Sequence, residues 1–243
     1  AAELYTAAKN GTEPKPAGAA DLLKLAEIDA EYHASTRFEK DKTHWSERIE
    51  KGFESFTIAD RQAPTHVDVR TSHMQLPDTT TARLDAARAR RESTIAFEMV
   101  AGIAAFMARM SGNEDVVLTL PVSARTTALL RRSGGMVSNV LPLRFTVRPE
   151  TTSAQLVEAA RMEITAALRH QRYPFADILR DAGSEAGYFG PVVNIMLFDA
   201  ELVVGDIVGR LRVLSSGHVS DLLVNVYPGE GAGNSLHLDL IGN

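Results

Sequence analysis

The 243-residue chain contains no cysteine. That excludes disulfides, thiolate metal ligands and a cysteine nucleophile together. Positive charge is not in excess: 26 Lys and Arg stand against 31 Asp and Glu, a formal net charge of −5. Nucleic-acid binding wants a basic field, so no nucleic-acid partner is expected. Long apolar runs are missing as well. The longest helical candidate, Ile95 to Met110, is interrupted by Glu98 and Gly102 and is too short to span a bilayer. The N-terminus lacks the basic start and apolar core of a signal peptide. No membrane partner is expected, and the cytoplasm is the expected location.

Catalytic signatures are equally scarce. There is no P-loop, no Gly-x-Gly-x-x-Gly, no Gly-x-Ser-x-Gly elbow and no His-Glu-x-x-His. The histidines (His33, His44, His66, His73, His170, His218 and His237) never fall at i,i+4 on a helix face, so no metal site is expected. Ser220, His218 and Asp221 have the residue types of a nucleophilic relay. Near neighbours on a strand alternate faces, however, and cannot form one.

What is present is an ordinary globular composition, 44% hydrophobic and 23% charged, enough to build a core. The stretch Gly134-Gly135-Met136-Val137-Ser138-Asn139-Val140-Leu141-Pro142-Leu143-Arg144 organises the reading. Its glycine doublet reads as a sharp entry turn and its aliphatic run as a buried strand. Ser138-Asn139 interrupts that strand, and a buried Asn must satisfy both ends of its amide.

Before it, Leu4 to Gly11 reads as the tail of a helix with a glycine stop, and residues 12–19 as a connector. Helical spacing recurs at Leu22, Leu25, Ile28 and Tyr32, then over Thr36 to Glu50 with Phe38, Trp45 and Ile49 buried. Trp45, the one tryptophan, reads as a packing anchor. Residues 52–64 read as a polar linker. A strand is predicted over Thr65 to Leu76, a helix capped by Asp78 running to Arg91, and a largely buried helix over Thr94 to Met110. The basic run Arg83, Arg88, Arg90 and Arg91 reads as a solvated face. Val116 to Val122 reads as a strand and Ser123 to Ser133 as a loop carrying Arg125. After the central stretch, Thr151 or Ser153 caps a long amphipathic helix through Leu168, and a short helix follows at Ile178–Arg180. Strands are predicted at Val192–Phe198, Ile207–Leu214, Leu222–Val226 and Leu236–Ile241. Helices and strands mix without a βαβ repeat, which favours an α+β two-layer sandwich with a mixed sheet. A chain that opens in mid-helix and closes on a strand reads as a piece of something longer.

Several stretches together resemble the condensation domain of nonribosomal peptide synthetases, in the chloramphenicol-acetyltransferase-like superfamily. Gly135 to Arg144 matches the family's glycine-to-arginine motif around Asn139, Pro142 and Arg144, with Ser138 and Val140 departing from it. Pro121-Val122-Ser123-Ala124-Arg125, His170-Gln171-Arg172-Tyr173-Pro174-Phe175, Arg180-Asp181 and His44-Trp45 match further motifs in family order. Phe189 to Ile195 and Ser220-Asp221-Leu222 resemble later strands, especially those of siderophore synthetases.

The family's His-His-x-x-x-Asp-Gly motif is not among these residues. The resemblance therefore implies that the chain begins downstream of it. Residues 1–64 would be connecting helices and linker from a missing N-terminal lobe, and 65–243 a C-terminal lobe incomplete at its end. The implied reaction is amide formation between a carrier-bound acyl or peptidyl thioester and a carrier-bound aminoacyl group. The phosphopantetheine arms are substrates, and no bound cofactor is expected. Upstream and downstream carrier domains, the N-terminal lobe and an adjacent adenylation domain are the implied partners. This piece would supply one tunnel wall and be inactive alone; an epimerising or acyl-transferring member of the superfamily, or a docking scaffold, are the alternatives. Asn139, Ser138, Arg125 and Ser220 are the implied tunnel residues. Asn139 either meets the reacting centre or closes a turn through its amide, and Arg125 either lines the tunnel or forms a structural salt bridge. Trp45, Pro142, Arg144, Gln171, Tyr173, Pro174, Phe175, Arg180 and Asp181 are implied as structural.

Overall fold

The computed structural model describes residues 2–14, 21–49, 56–57, 69–183, 188–198, 201–210, 217–229 and 235–243. Eight helices and eight strands lie within them: α1 (Ala2–Asn10), α2 (Leu22–His33), α3 (Thr36–Ile49), β1 (Arg70–Gln75), α4 (Asp78–Arg91), α5 (Ile95–Ser111), β2 (Asp115–Val122), α6 (Ala128–Arg132), β3 (Asn139–Thr146), α7 (Ser153–Arg169), α8 (Phe175–Asp181), β4 (Val192–Ile195), β5 (Glu201–Val204), β6 (Ile207–Arg210), β7 (Leu222–Pro228) and β8 (Leu236–Gly242). The expected α+β class with a mixed sheet is what the chain forms.

Helix boundaries follow local chemistry. Thr94 caps α5 by accepting from the Phe97 amide, and Gly112, at φ +72°, ends it. Helix α7 is capped by Thr152, which forms a reciprocal capping box with Gln155, so neither Thr151 nor Ser153 holds the expected position. Asp78 likewise lies inside α4, whose cap is Pro77, and makes no side-chain cap bond. The stretch read as loop between residues 123 and 133 contains α6, capped by Thr127.

Six strands form one sheet in the order β1-β8-β7-β4-β2-β3, parallel at β7/β4 and β4/β2 and antiparallel elsewhere. Strand β3 is an edge, which is why Pro142 is tolerated opposite Thr119: its missing N–H faces away from β2. The strand predicted over residues 207–214 starts as β6. It pairs with β5, which the sequence reading missed, around a two-residue turn headed by Gly205 at φ +64°. Residues 211–216 and the proposed Val67 lie outside the described residues.

Helices α5 and α7 cover one face of the sheet. Alanines at 101, 104, 108, 160 and 167 let them approach each other, and Val116, Leu118, Leu141 and Leu143 fill the layer below. Trp45 and Ile49 belong to the same cluster, so α3 packs into the main core. A second cluster, Val224, Val226, Leu236 and Leu238, lies beneath Leu84, Ile95 and Met99. By strand alternation the opposite face of β7 and β8 carries Asn225, Tyr227, His237 and Asp239. Gly190 sits where no side chain fits: a Cβ there would meet the Val117 carbonyl oxygen at 2.0 Å.

Helix α5 is only partly enclosed, with Phe106 and Met110 exposed. The basic run of α4 is also less solvated than expected. Arg91 pairs with the nearly buried Glu98 at 2.8 Å, and Arg88 with Asp85 at 3.0 Å. No single helix among the described residues is long and apolar enough to cross a membrane.

Candidate functional site

Several of the family-like motifs meet at one end of β2 and β3, where α7 turns into α8. Helix α7 stops at Arg169, His170 leaves helical geometry, and Pro174 starts α8. Asn139, the first residue of β3, faces this corner. Its Nδ2 donates to the carbonyls of Gln171 (2.9 Å) and Tyr173 (2.7 Å), and its Oδ1 accepts from the Phe175 amide at 3.0 Å. Both amide hydrogens and the carbonyl are therefore committed. Of the two roles open for Asn139, the geometry matches closure of a turn, and a donor aimed at a reacting centre is not what it forms here.

The rest of the corner is a fastener between α2, α3 and α7. The Asp41 carboxylate, 1% exposed, accepts from Tyr32 (2.8 Å), from Arg37 Nε (2.9 Å) and pairs with His170 Nδ1 (2.8 Å). Trp45 Nε1 donates to the His170 carbonyl at 3.1 Å. The His44 ring stacks on His170 at 3.8 Å. Burial, with His170 and Arg48 beside it, pulls the His44 pKa down to about 4. The Arg172 guanidinium lies 4.0 Å over the Tyr32 ring. Tyr173 is buried and donates to Asp181 at 2.6 Å; burial followed by that bond raises its pKa. Arg180 is largely exposed beside Asp177.

Arg125 is held close by, and among the described residues it forms no salt bridge. Nη1 donates to the Leu130 and Ser133 carbonyls (2.6 and 3.0 Å) and to Ser133 Oγ (2.8 Å), and Nη2 donates to the Gly135 carbonyl (3.0 Å). It knits the loop between β2 and β3 together. Ala124 before it adopts φ +48°, a left-handed conformation that Cβ resists and that this bonding sustains. Neither Gly134 nor Gly135 has positive φ, so the expected entry turn does not draw on the left-handed region open to glycine. Gly135 does pass close to α2: a Cβ there would lie 2.5 Å from the Leu25 Cδ1 methyl, the movable end of that side chain. Ser138 is exposed, its hydroxyl 3.0 Å from Met136 Sδ.

Ser220 is not brought to this site. Thr119 of β2 is level with Val192 of β4, which is level with Leu223 of β7. Ser220 thus precedes that level by three residues while Val122, the partner of Asn139, follows it by three. The two are about 20 Å apart along the strands, at opposite ends of the sheet. Arg144 lies farther along β3, with Nε 2.9 Å from Asp115 Oδ1. Sequence reading missed Asp41, although a carboxylate between Phe38 and Trp45 on an apolar helix stripe was a readable signal.

The sequence profile of the condensation domain matches residues 1–204. The chain belongs to the condensation-domain family. Among curated relatives it is 32% identical to the dimodular nonribosomal peptide synthase of Bacillus subtilis (strain 168), over 100% of this chain and 10% of that protein. It is 33% identical to the isonitrile lipopeptide synthase of Streptomyces coeruleorubidus, over 98% of this chain and 16% of that protein. The first condensation domain of the calcium-dependent antibiotic synthetase, solved with a substrate analogue, superposes with a TM-score of 0.88 at 31% identity, covering 100% of this chain and 54% of that one. This condensation-family chain thus spans about half of a solved condensation domain and a small part of the synthetases it resembles.

Proposed function

We propose that these residues form the C-terminal lobe of a nonribosomal peptide synthetase condensation domain and work in amide-bond formation. The carrying observation is the match to a solved condensation domain along the entire chain. In the proposed reaction, an amine on one carrier's phosphopantetheine arm attacks the thioester carbonyl on another's. The amine loses a proton, the C–S bond breaks, and the thiolate leaves protonated. No base is assigned within these 243 residues. Their part is to shape one wall of the tunnel in which the arms meet, and proximity does much of the work there.

Within that wall the corner acts by positioning. Asn139 fixes the 171–175 turn, Arg125 fixes the 123–135 loop, and the exposed Ser138 is left at the surface between them. Carrier domains, the N-terminal lobe and an adjacent adenylation domain are the partners under this reading. The test compares the 243-residue chain with the complete domain, each supplied with loaded donor and acceptor carriers. The complete domain forms the amide and the chain alone does not. Amide formation by the chain alone, or none by the complete domain, overturns the proposal.

A further inference from the structure

The face of the sheet turned away from α4 and α5 carries a cluster that condensation chemistry leaves unused. His73 of β1 stands directly opposite Asp239 of β8, and His237 lies two residues along β8, on the same face. His73 Nδ1 lies 2.6 Å and His237 Nε2 2.8 Å from the same carboxylate oxygen, Asp239 Oδ1. The three ligand atoms all lie within 4.8 Å of one another. Tyr227, the cross-strand partner of His237, has a buried hydroxyl with no partner among the described residues.

We propose that His73, His237 and Asp239 form a binding site for a divalent first-row transition metal ion, with Zn2+ as its reference occupant. Two imidazoles and one carboxylate are a donor set suited to such ions, and three protein ligands leave a position for water. Donors around a tetrahedral Zn2+ lie about 3.3 Å apart, given bond lengths near 2.0–2.1 Å. Both nitrogens now stand closer than that to the carboxylate oxygen, at hydrogen-bond distance, and small side-chain rotations open the spacing for an ion. Each neutral ring vacates the coordinating nitrogen by moving its N–H to the other ring nitrogen, so no proton need be released. Asp239 is 15% exposed and His237 32%, which anchors two ligands on β8, while the 64%-exposed His73 closes from the edge. Helical i,i+4 spacing does not mark this set, because its members meet across strands. Its structural effect would be to fasten β1, whose residues are all exposed, to β8.

The full chain, stripped with a chelator, is titrated with Zn2+ by calorimetry and with Co2+ by visible absorption. One ion per chain, ligand-field bands on Co2+ addition and a Zn2+-dependent rise in melting temperature are expected. His73→Ala and His237→Ala each weaken binding by about tenfold or more and remove the thermal shift. His73 is at an exposed edge, so its variant keeps the fold and the test stays decisive even where Asp239→Asn does not fold. Absence of binding, or binding unchanged in His73→Ala and His237→Ala, overturns the proposal and leaves a hydrogen-bonded His–Asp–His row.

Discussion

Asn139 shows how a side chain can be structural through full commitment of its polar atoms. Replacing it with Ala leaves the Gln171 and Tyr173 carbonyls and the Phe175 amide without their partner. The expected loss is roughly 2 kcal/mol or more of folding stability. Asp in its place retains the acceptor for Phe175 but turns an oxygen toward two carbonyls, so Asn139→Asp is less stable than Asn139→Ala. Urea unfolding checks this through the midpoint at constant m-value. A fully stable Asn139→Ala protein with lost amide formation would restore the direct catalytic contact that the hydrogen bonds argue against.

The same residues mark where sequence reading succeeded and stopped. A polar residue at the head of an aliphatic strand was visible, as were the motif neighbours that turned out to surround it. Its partners were not, because the Gln171 and Tyr173 carbonyls become acceptors only after α7 has been cut short at Arg169. Gly135 was legible as a turn residue, but its passage beside α2 was not. A close approach to Leu25, more than a hundred residues earlier, leaves no local trace. Ser220 lies in a segment that resembles the family, yet only strand register reveals that it stands at the far end of the sheet from Asn139.

At the scale of elements, the joint between α3 and the end of α7 is built on titratable groups. His44 stacks on His170, with Arg48 and Asp41 as further charged neighbours, and its folded pKa is about 4 against an ordinary 6.5. Between those values the unfolded chain binds a proton at this position that the folded chain does not. Stability therefore falls as pH drops from about 6.5 toward 4, and this contribution is flat above that window. His44→Gln removes it, so the stability difference between about pH 7 and pH 4.5 should be smaller in the variant than in the parent. Urea midpoints at the two pH values decide the matter, and equal slopes for the two proteins would falsify the assignment. Helix packing explains why these residues escaped notice. Periodicity identified α3 and its apolar stripe, but nothing local says that His44 will meet His170 across 125 intervening positions.

For the molecule as a whole, the distribution of apolar surface distinguishes the sheet from its satellite. The six-stranded sheet has two buried clusters beneath its helices. Among the described side chains, none from the β5–β6 hairpin belongs to either. The hairpin rests against α1, with Lys9 paired to Asp206 at 2.5 Å and the Gly205 amide donating to Thr6 Oγ1 at 3.0 Å. Leu4, Tyr5, Val203, Ile207 and Val208 on this pair of elements are each more than half exposed. Apolar side chains gathered this way signal a surface awaiting a partner. Under the proposed function, the complete domain supplies that cover. Hydrogen exchange on the 243-residue chain should then find the hairpin amides opening well before those of β2, β3 and β7, since few buried contacts oppose their opening. In the complete domain the same hairpin amides should slow markedly while the sheet amides change little. Equal hairpin protection in the two proteins would mean that α1 alone is its partner, and that this face of the lobe stays open in the assembled domain.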